Sequence, residues 1–135
     1  MEIINDGVNG LLAGAMHGIG VNVTEGSSNN CRGRNKDGKE GRIVGNGTTF
    51  GEYGGGIEIT AKALKIANYA WIKRTPPTSL TKILLEYTGA EDELELMEGF
   101  SSDYFHLAPL LTIEVIRAAH EGDAAACEII QCAIS

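Results

Sequence analysis

Residues 19–44 read IGVNVTEGSSNNCRGRNKDGKEGRIV, and this stretch decides the fold of the first part of the chain. Ile19, Val21 and Val23 alternate with small or polar residues, which is the period of a half-buried strand. Further short strands are predicted at 31–34 and 42–44, after turn-forming stretches at 24–30 and 35–41. The sequence therefore predicts a small antiparallel meander.

The composition changes near residue 47, where a strand-patterned region gives way to a helix-patterned one. Fifteen of the 18 glycines lie before residue 57, a density typical of turns and close backbone approach rather than long helices. A short helix over residues 5–16 precedes the meander. We predict one α/β domain over residues 1–135, with a small, mainly antiparallel sheet in 1–47 and about five helices packing on it, most of them in 48–135.

Helical spacing continues to the end of the chain. The predicted apolar stripe of the long helix comprises Ile57, Ala61, Leu64, Ala67 and Trp71, and we expect it to pack on the meander. Later helices have their own start and stop signals: Thr78 or Ser79 caps one that Gly89 ends, and Asp123 caps the last. Between these two, an acidic helix near 91–97 and a helix with Leu110, Ile113 and Ile116 on its apolar face are expected.

Charge and composition exclude several classes of function. The formal net charge of −7 argues against nucleic acid as a partner, because phosphate backbones are bound by clustered Lys and Arg. No apolar run is long enough to span a bilayer and no secretory signal is present, so we expect a cytoplasmic protein that does not bind membranes. The three cysteines and three histidines have no metal-ligand spacing. We therefore predict no protein-bound metal set and interpret the cysteines as buried apolar residues.

Three motifs could carry chemistry, and each has a plain structural alternative. Asp6, within Asn5-Asp6-Gly7, could be a general base or simply cap a helix. The small polar residues of 24–30 could hold a phosphate through backbone N–H groups or form an ordinary hairpin loop. The glycine-dense stretch 45–56 could let a ligand meet the N-terminus of the long helix or could merely close a sheet edge. It matches neither the Walker pattern nor the dinucleotide fingerprint.

Taken in order and at this spacing, the motifs resemble the C-terminal half of the N-acetylglucosamine kinase and BadF/BadG/BcrA/BcrD-type ATPase family, in the actin, hsp70 and sugar-kinase superfamily. That family has an N-D-A or T-D-A motif, then G-T-G-S-N, then G-G-W-G-x-x-x-G-D-E-G-S. The matching stretches here are NDG at 5–7, GSSNNCRGRNKDG at 26–38 and GNGTTFGEYGGG at 45–56. The tail LAPLLTIEVIRAAHEGDAAACEII at 107–130 is also similar to the family.

The resemblance implies an RNase H-like lobe that uses ATP and Mg²⁺ to phosphorylate an amino sugar. By position, Asp6 matches the catalytic base. The residues that match the nucleotide phosphate loop are Gly26, Ser27, Ser28 and Asn29. The residues that match the sugar-binding positions are Asn5, Gly45, Asn46 and Glu52.

The chain also departs from the family pattern. Ser28 stands where the family has glycine, Asn46 replaces tryptophan, Glu52 replaces aspartate and Tyr53 replaces glutamate. The D-x-G-x-T loop of the superfamily's first lobe is absent, so the chain alone is expected to be inactive. One hypothesis is a kinase or ATPase fragment that catalyses when joined to an N-terminal lobe. The alternative is a non-catalytic interaction or dimerisation module. In either case we expect uncovered apolar surface and a homo-oligomer.

Overall fold

The computed structural model describes residues 6–43, 50 and 53–134. The chain divides into two compact units, Met1–Gly55 and Gly56–Ser135, which we call the strand unit and the helical unit. The prediction of an α/β fold is confirmed: the described residues contain six α-helices, against about five expected, and one small antiparallel sheet. The organisation of residues 1–135 as a single lobe stays a prediction.

The strand unit consists of one helix followed by a meander. Its elements are α1 (Asp6–Gly14), a short 3-10 helix (Met16–Gly18), β1 (Gly20–Glu25), β2 (Asn29–Arg34) and β3 (Glu40–Ile43). The strands pair antiparallel in the order β1-β2-β3, with Val23 opposite Cys31 in the first pair. The turn between β2 and β3 is closed by Asn35, whose side-chain oxygen accepts from the backbone N–H groups of Asp37 and Lys39 at 3.0 and 2.9 Å.

Helix α1 lies on the polar face of the sheet, which the sequence pattern did not predict. The side-chain amide of Asn22 donates to the Gly7 carbonyl at 3.2 Å, and a Cβ added at Gly10 would lie 2.6 Å from the Asn22 side chain. Because side chains alternate along a strand, Val21 and Val23 occupy the other face, where they are 72% and 61% exposed. The expectation that these valines form the buried side of β1 is wrong.

The helical unit contains five helices joined by short connections. They are α2 (Gly56–Trp71), α3 (Ser79–Thr88), α4 (Glu93–Ser101), α5 (Thr112–His120) and α6 (Ala124–Ala133), with a 3-10 helix (Pro109–Leu111) leading into α5. Within this unit α2 packs against α3, α5 and α6. None of the helices in the described ranges is long and apolar enough to cross a membrane.

Helix ends in this unit follow the residue chemistry that the sequence indicated. Thr78 caps α3 by accepting from the backbone N–H of Leu80 at 3.2 Å, and Gly89 ends that helix with a φ of 77°. Asp123 caps α6 by accepting from the backbone N–H of Ala126 at 2.9 Å. Its other carboxylate oxygen accepts from the hydroxyl groups of Thr78 and Ser79 and from the Ser79 backbone N–H. One carboxylate therefore joins the starts of two helices.

The hydrogen bonds at Asp123 shift its titration. Burial by itself would raise the pKa of this carboxyl group, because the charged form loses water. The hydrogen bonds from Ala126, Ser79 and Thr78 favour the charged form and outweigh burial, so the pKa of Asp123 lies below its ordinary value.

The apolar stripe predicted for α2 is largely wrong. Ile57, Ala61 and Trp71 are exposed in the structure. The buried residues of α2 include Ile59, Thr60, Ala63 and Ala67. Small side chains on this face allow close approach to the neighbouring helices, and the Thr60 hydroxyl is satisfied by carbonyl groups of its own helix. Helix α5 shows the same kind of error: the predicted face of Leu110, Ile113 and Ile116 is exposed, whereas Val115 and Ala118 are buried.

The interpretation of the cysteines as buried residues is also wrong. Cys127 and Cys132 are exposed and Cys31 is half-buried. The first two lie on α6, whose buried face is formed by Ala126 and Ile129 instead. A helix buries only one side, and the positions of these thiols place them away from it.

Candidate functional site

The turn that joins β1 to β2 is short, exposed and built from small polar residues. Gly26, Ser27 and Ser28 are all exposed. The Gly26 N–H donates to the Ser28 carbonyl at 3.2 Å, which closes the turn. Two serine hydroxyl groups on an exposed turn can donate to an anion, and compact turns of this kind also direct backbone N–H groups outward.

Two contacts connect this turn to the segment 53–55, which precedes the long helix. The side-chain amide of Asn29 donates a short hydrogen bond to the Tyr53 carbonyl. Gly55 is buried, and a Cβ added to it would lie 2.7 Å from both the Ser27 carbonyl oxygen and the Ser28 Cα. The turn and the end of the glycine-rich stretch therefore lie against each other within the strand unit.

Two positions that depart from the family motifs, Ser28 and Gly55, are in contact in the structure. Ser28 stands where the G-T-G-S-N motif has its second glycine, and Gly55 stands where the motif G-G-W-G-x-x-x-G-D-E-G-S ends in serine. The structure brings these two departures into contact. Relative to the two motifs, the chain therefore has an added side chain at position 28 and lacks one at position 55, which lies against it.

The start of α1 is tied to the strand that leads into the turn. Besides its bond to the Gly7 carbonyl, the Asn22 amide lies 3.1 Å from the Thr24 hydroxyl oxygen. Asp6 is the first residue of α1 and precedes Gly7 directly. The backbone of Asp6 thus belongs to the same unit as the turn, while its side chain lies outside the described part of the structure.

The other predicted site residues cannot be compared with the structure. Asn5, Gly45, Asn46 and Glu52 lie outside the described residues, so their sugar-binding role stays a prediction. The residues that the structure brings together are those of the turn, Asn29, and Tyr53 to Gly55. The sequence led us to expect the turn and the glycine series at one site, and the particular contacts of Asn29 and Gly55 are what the structure adds.

The described residues fit a phosphate group better than they fit a metal ion held by the protein alone. The exposed serines of the turn supply hydroxyl donors. The Asn29 side-chain oxygen is buried and has no hydrogen-bond partner among the described residues.

Two known proteins to which this chain is similar are a sugar kinase and a candidate sugar kinase. A scan against models of protein families finds no match. The N-acetylmuramic acid/N-acetylglucosamine kinase of Clostridium acetobutylicum is 32% identical over 95 residues, which are 70% of this chain and 31% of that kinase. A crystal structure from Chromobacterium violaceum, described as a candidate N-acetylglucosamine kinase, superposes with a TM-score of 0.75 at 24% identity. The match covers 95% of this chain and 44% of that one.

The chain resembles part of an N-acetylmuramic acid/N-acetylglucosamine kinase in sequence and part of a candidate N-acetylglucosamine kinase in fold, which supports the kinase-like lobe expected from the motifs. The sequence relationship and the shared fold confirm the resemblance on which the site residues were chosen. The chain spans about a third of the curated relative and less than half of the structural neighbour.

Proposed function

We propose that this kinase-like lobe binds the phosphate groups of Mg·ATP and, joined to a complementary N-terminal lobe, transfers the γ-phosphate to a hydroxyl group of an amino sugar. The observation that carries the proposal is the contact of the turn at 26–28 with Tyr53 to Gly55. The two motifs are separate in the sequence and are in contact in the structure. Such a convergence is the expected arrangement of a phosphate site formed by two loops.

The chemistry needs little more from this lobe than correct placement. Phosphoryl transfer depends on aligned reactants and on neutralisation of charge, much of which Mg²⁺ supplies when it accompanies the nucleotide. Ser27 and Ser28 would donate hydrogen bonds to phosphate oxygens. Asp6 would accept the proton of the attacking sugar hydroxyl, and Asn5, Gly45, Asn46 and Glu52 would hold the sugar.

Titration of the isotope-labelled chain with Mg·ATP tests the phosphate site directly. Backbone amide resonances of 26–29 and 53–55 are expected to shift, while those of β3 remain in place. Adenosine at the same concentration is the matched control, because it carries the base and ribose without phosphate. Equal shifts with both ligands, or no shift with Mg·ATP at millimolar concentration, would contradict the phosphate role.

Turnover is tested by combining the lobe with a partner chain that contains D-x-G-x-T. N-acetylglucosamine and Mg·ATP should then give a phosphorylated sugar, and Asp6→Asn should lower kcat by about 10²- to 10⁴-fold while leaving Mg·ATP binding unchanged. Loss of nucleotide binding together with turnover in this variant would point to a structural role for Asp6.

A second candidate function is a non-catalytic module that associates through its uncovered surface. The exposure of Val21 and Val23 on the sheet face opposite α1 favours it, since contiguous apolar surface commonly marks an interaction site. The two functions differ in one result: the module self-associates but does not respond to Mg·ATP.

A further inference from the structure

We propose that Asn29 is a positioning residue that holds segment 53–55 against the β1–β2 turn, and that this contact requires glycine at position 55. The inference rests on the proposed phosphate site and revises one assignment within it. By its place in the motif Asn29 would contact the nucleotide, whereas its side chain in the structure is directed to the backbone of another loop.

The direction of the Asn29 amide follows from its partner. The Tyr53 carbonyl can only accept a hydrogen bond, so the atom that faces it must be the amide nitrogen. This fixes the side-chain oxygen on the other branch, where it is buried. Ser27 and Ser28 are exposed, whereas Asn29 is only half-exposed. The serines are therefore available to a ligand, and the asparagine connects the two loops behind them.

The contact at Gly55 explains why such a tie is useful. The atoms that a Cβ at this position would meet, the Ser27 carbonyl oxygen and the Ser28 Cα, belong to the backbone and cannot rotate away. A side chain at position 55 would therefore displace the turn itself. With glycine there, the two loops approach closely, and the Asn29 hydrogen bond fixes the distance between them.

Two asparagine variants test the tie without the ligand. Asn29→Ala removes the donor, and Asn29→Asp keeps the volume but places a carboxylate oxygen against the Tyr53 carbonyl. Both are expected to shift the ¹³C resonance of the Tyr53 carbonyl, which responds to the loss of its hydrogen bond, with β1–β3 resonances preserved. If Asn29→Ala does not fold, the Tyr53 carbonyl resonance of Asn29→Asp decides whether Asn29 holds the loop. An unchanged Tyr53 carbonyl resonance in a folded variant would overturn the proposal.

Ligand binding then tests the consequence for the site. Asn29→Ala is expected to weaken Mg·ATP about 3- to 10-fold, the effect of one lost hydrogen bond, and Gly55→Ala about tenfold or more. Gly41→Ala is the matched control, because a Cβ at this strand glycine meets nothing within 4 Å. The affinity of Gly41→Ala for Mg·ATP should equal that of the wild-type chain. Unchanged affinity in both Asn29→Ala and Gly55→Ala would also overturn the positioning role.

The experiment separates the failure of this inference from the failure of the proposed function. If the wild-type chain does not respond to Mg·ATP, the phosphate site is wrong, and the Tyr53 resonance of the unliganded variants still decides whether Asn29 holds the loop. If the wild type binds and the variants bind equally well, the phosphate site stands and the positioning role is wrong.

Discussion

The strand unit and the helical unit bury their apolar residues to very different extents. Among the described residues, Leu11 is the single buried hydrophobic residue of the strand unit, whereas the helical unit has twelve. In the helical unit, the side chains of Thr78, Asp92 and Asp123 cap the N-termini of α3, α4 and α6. The strand unit relies instead on its strand ladder and on polar ties such as those of Asn22 and Asn29.

This difference indicates that the two units have different structural roles. A closed apolar core gives the helical unit a rigid framework, whereas the exposed loops of small residues in the strand unit suit the proposed phosphate site. Regions that bind ligands commonly have few buried apolar contacts, and the strand unit has this character.

The largest effect is expected in the core of the helical unit. Leu80 is fully buried and belongs to a cluster with Ile59, Val115 and Ile129. Leu80→Ala should lower the free energy of unfolding by about 2–5 kcal/mol, since it removes apolar contacts and leaves a cavity. Urea unfolding followed by circular dichroism measures the change. The control is Leu110→Ala, at a leucine that is 75% exposed, with an expected change within about 0.5 kcal/mol. Equal losses in the two variants would contradict the assigned core.

A smaller effect is expected at Asp123, whose carboxylate joins the starts of α3 and α6. Asp123→Ala should cost about 1–3 kcal/mol, more than Asp92→Ala, because Asp92 caps α4 alone by accepting from the Glu95 N–H. Asp123→Asn is informative as well: its oxygen can still cap α6, but its amide nitrogen cannot accept from Thr78 and Ser79. If Asp123→Ala and Asp92→Ala cost the same, the second set of hydrogen bonds contributes nothing.

The same residue gives a pH dependence with a definite sign. Because the folded-state pKa of Asp123 is lowered, its contribution to stability is fully present above the unfolded-state value of about 4 and is lost as pH falls through the folded-state value. The difference in unfolding free energy between wild type and Asp123→Ala should therefore be constant near neutral pH and shrink below about pH 4. A difference that grows towards acid pH would contradict the lowered pKa.

Sequence reasoning succeeded where structure depends on neighbouring residues. The caps at Thr78 and Asp123 and the stop at Gly89 were readable because the donor and acceptor lie within a few positions of each other. The alternation of β1 likewise predicted a strand at the observed place. The existence and type of these elements were therefore accessible without a structure.

Sequence reasoning failed where a buried face or a contact depends on residues that are far apart in the sequence. Periodicity placed Ile57 and Trp71 on the buried face of α2, but packing against other helices selected a face with small residues such as Ala63. The Asn29–Tyr53 hydrogen bond spans 24 positions, and no local pattern announces it. The family resemblance accordingly predicted that the two motifs belong to one site, while the particular contacts that join them required coordinates.

The smallest effect on stability, and a large one on association, is expected on the exposed sheet face. Val21→Thr combined with Val23→Thr preserves the β-branched shape, so the free energy of unfolding should change by no more than about 0.5 kcal/mol. The added hydroxyl groups reduce the apolar character of a face that α1 does not cover, and self-association measured by sedimentation velocity should decrease. Leu12→Gln, at an exposed residue of α1, is the control in the same unit and should leave association unchanged. A wild-type chain that stays monomeric at high concentration would remove the basis of the homo-oligomer prediction, whereas equal weakening by Leu12→Gln would assign the interface to α1 rather than to the sheet.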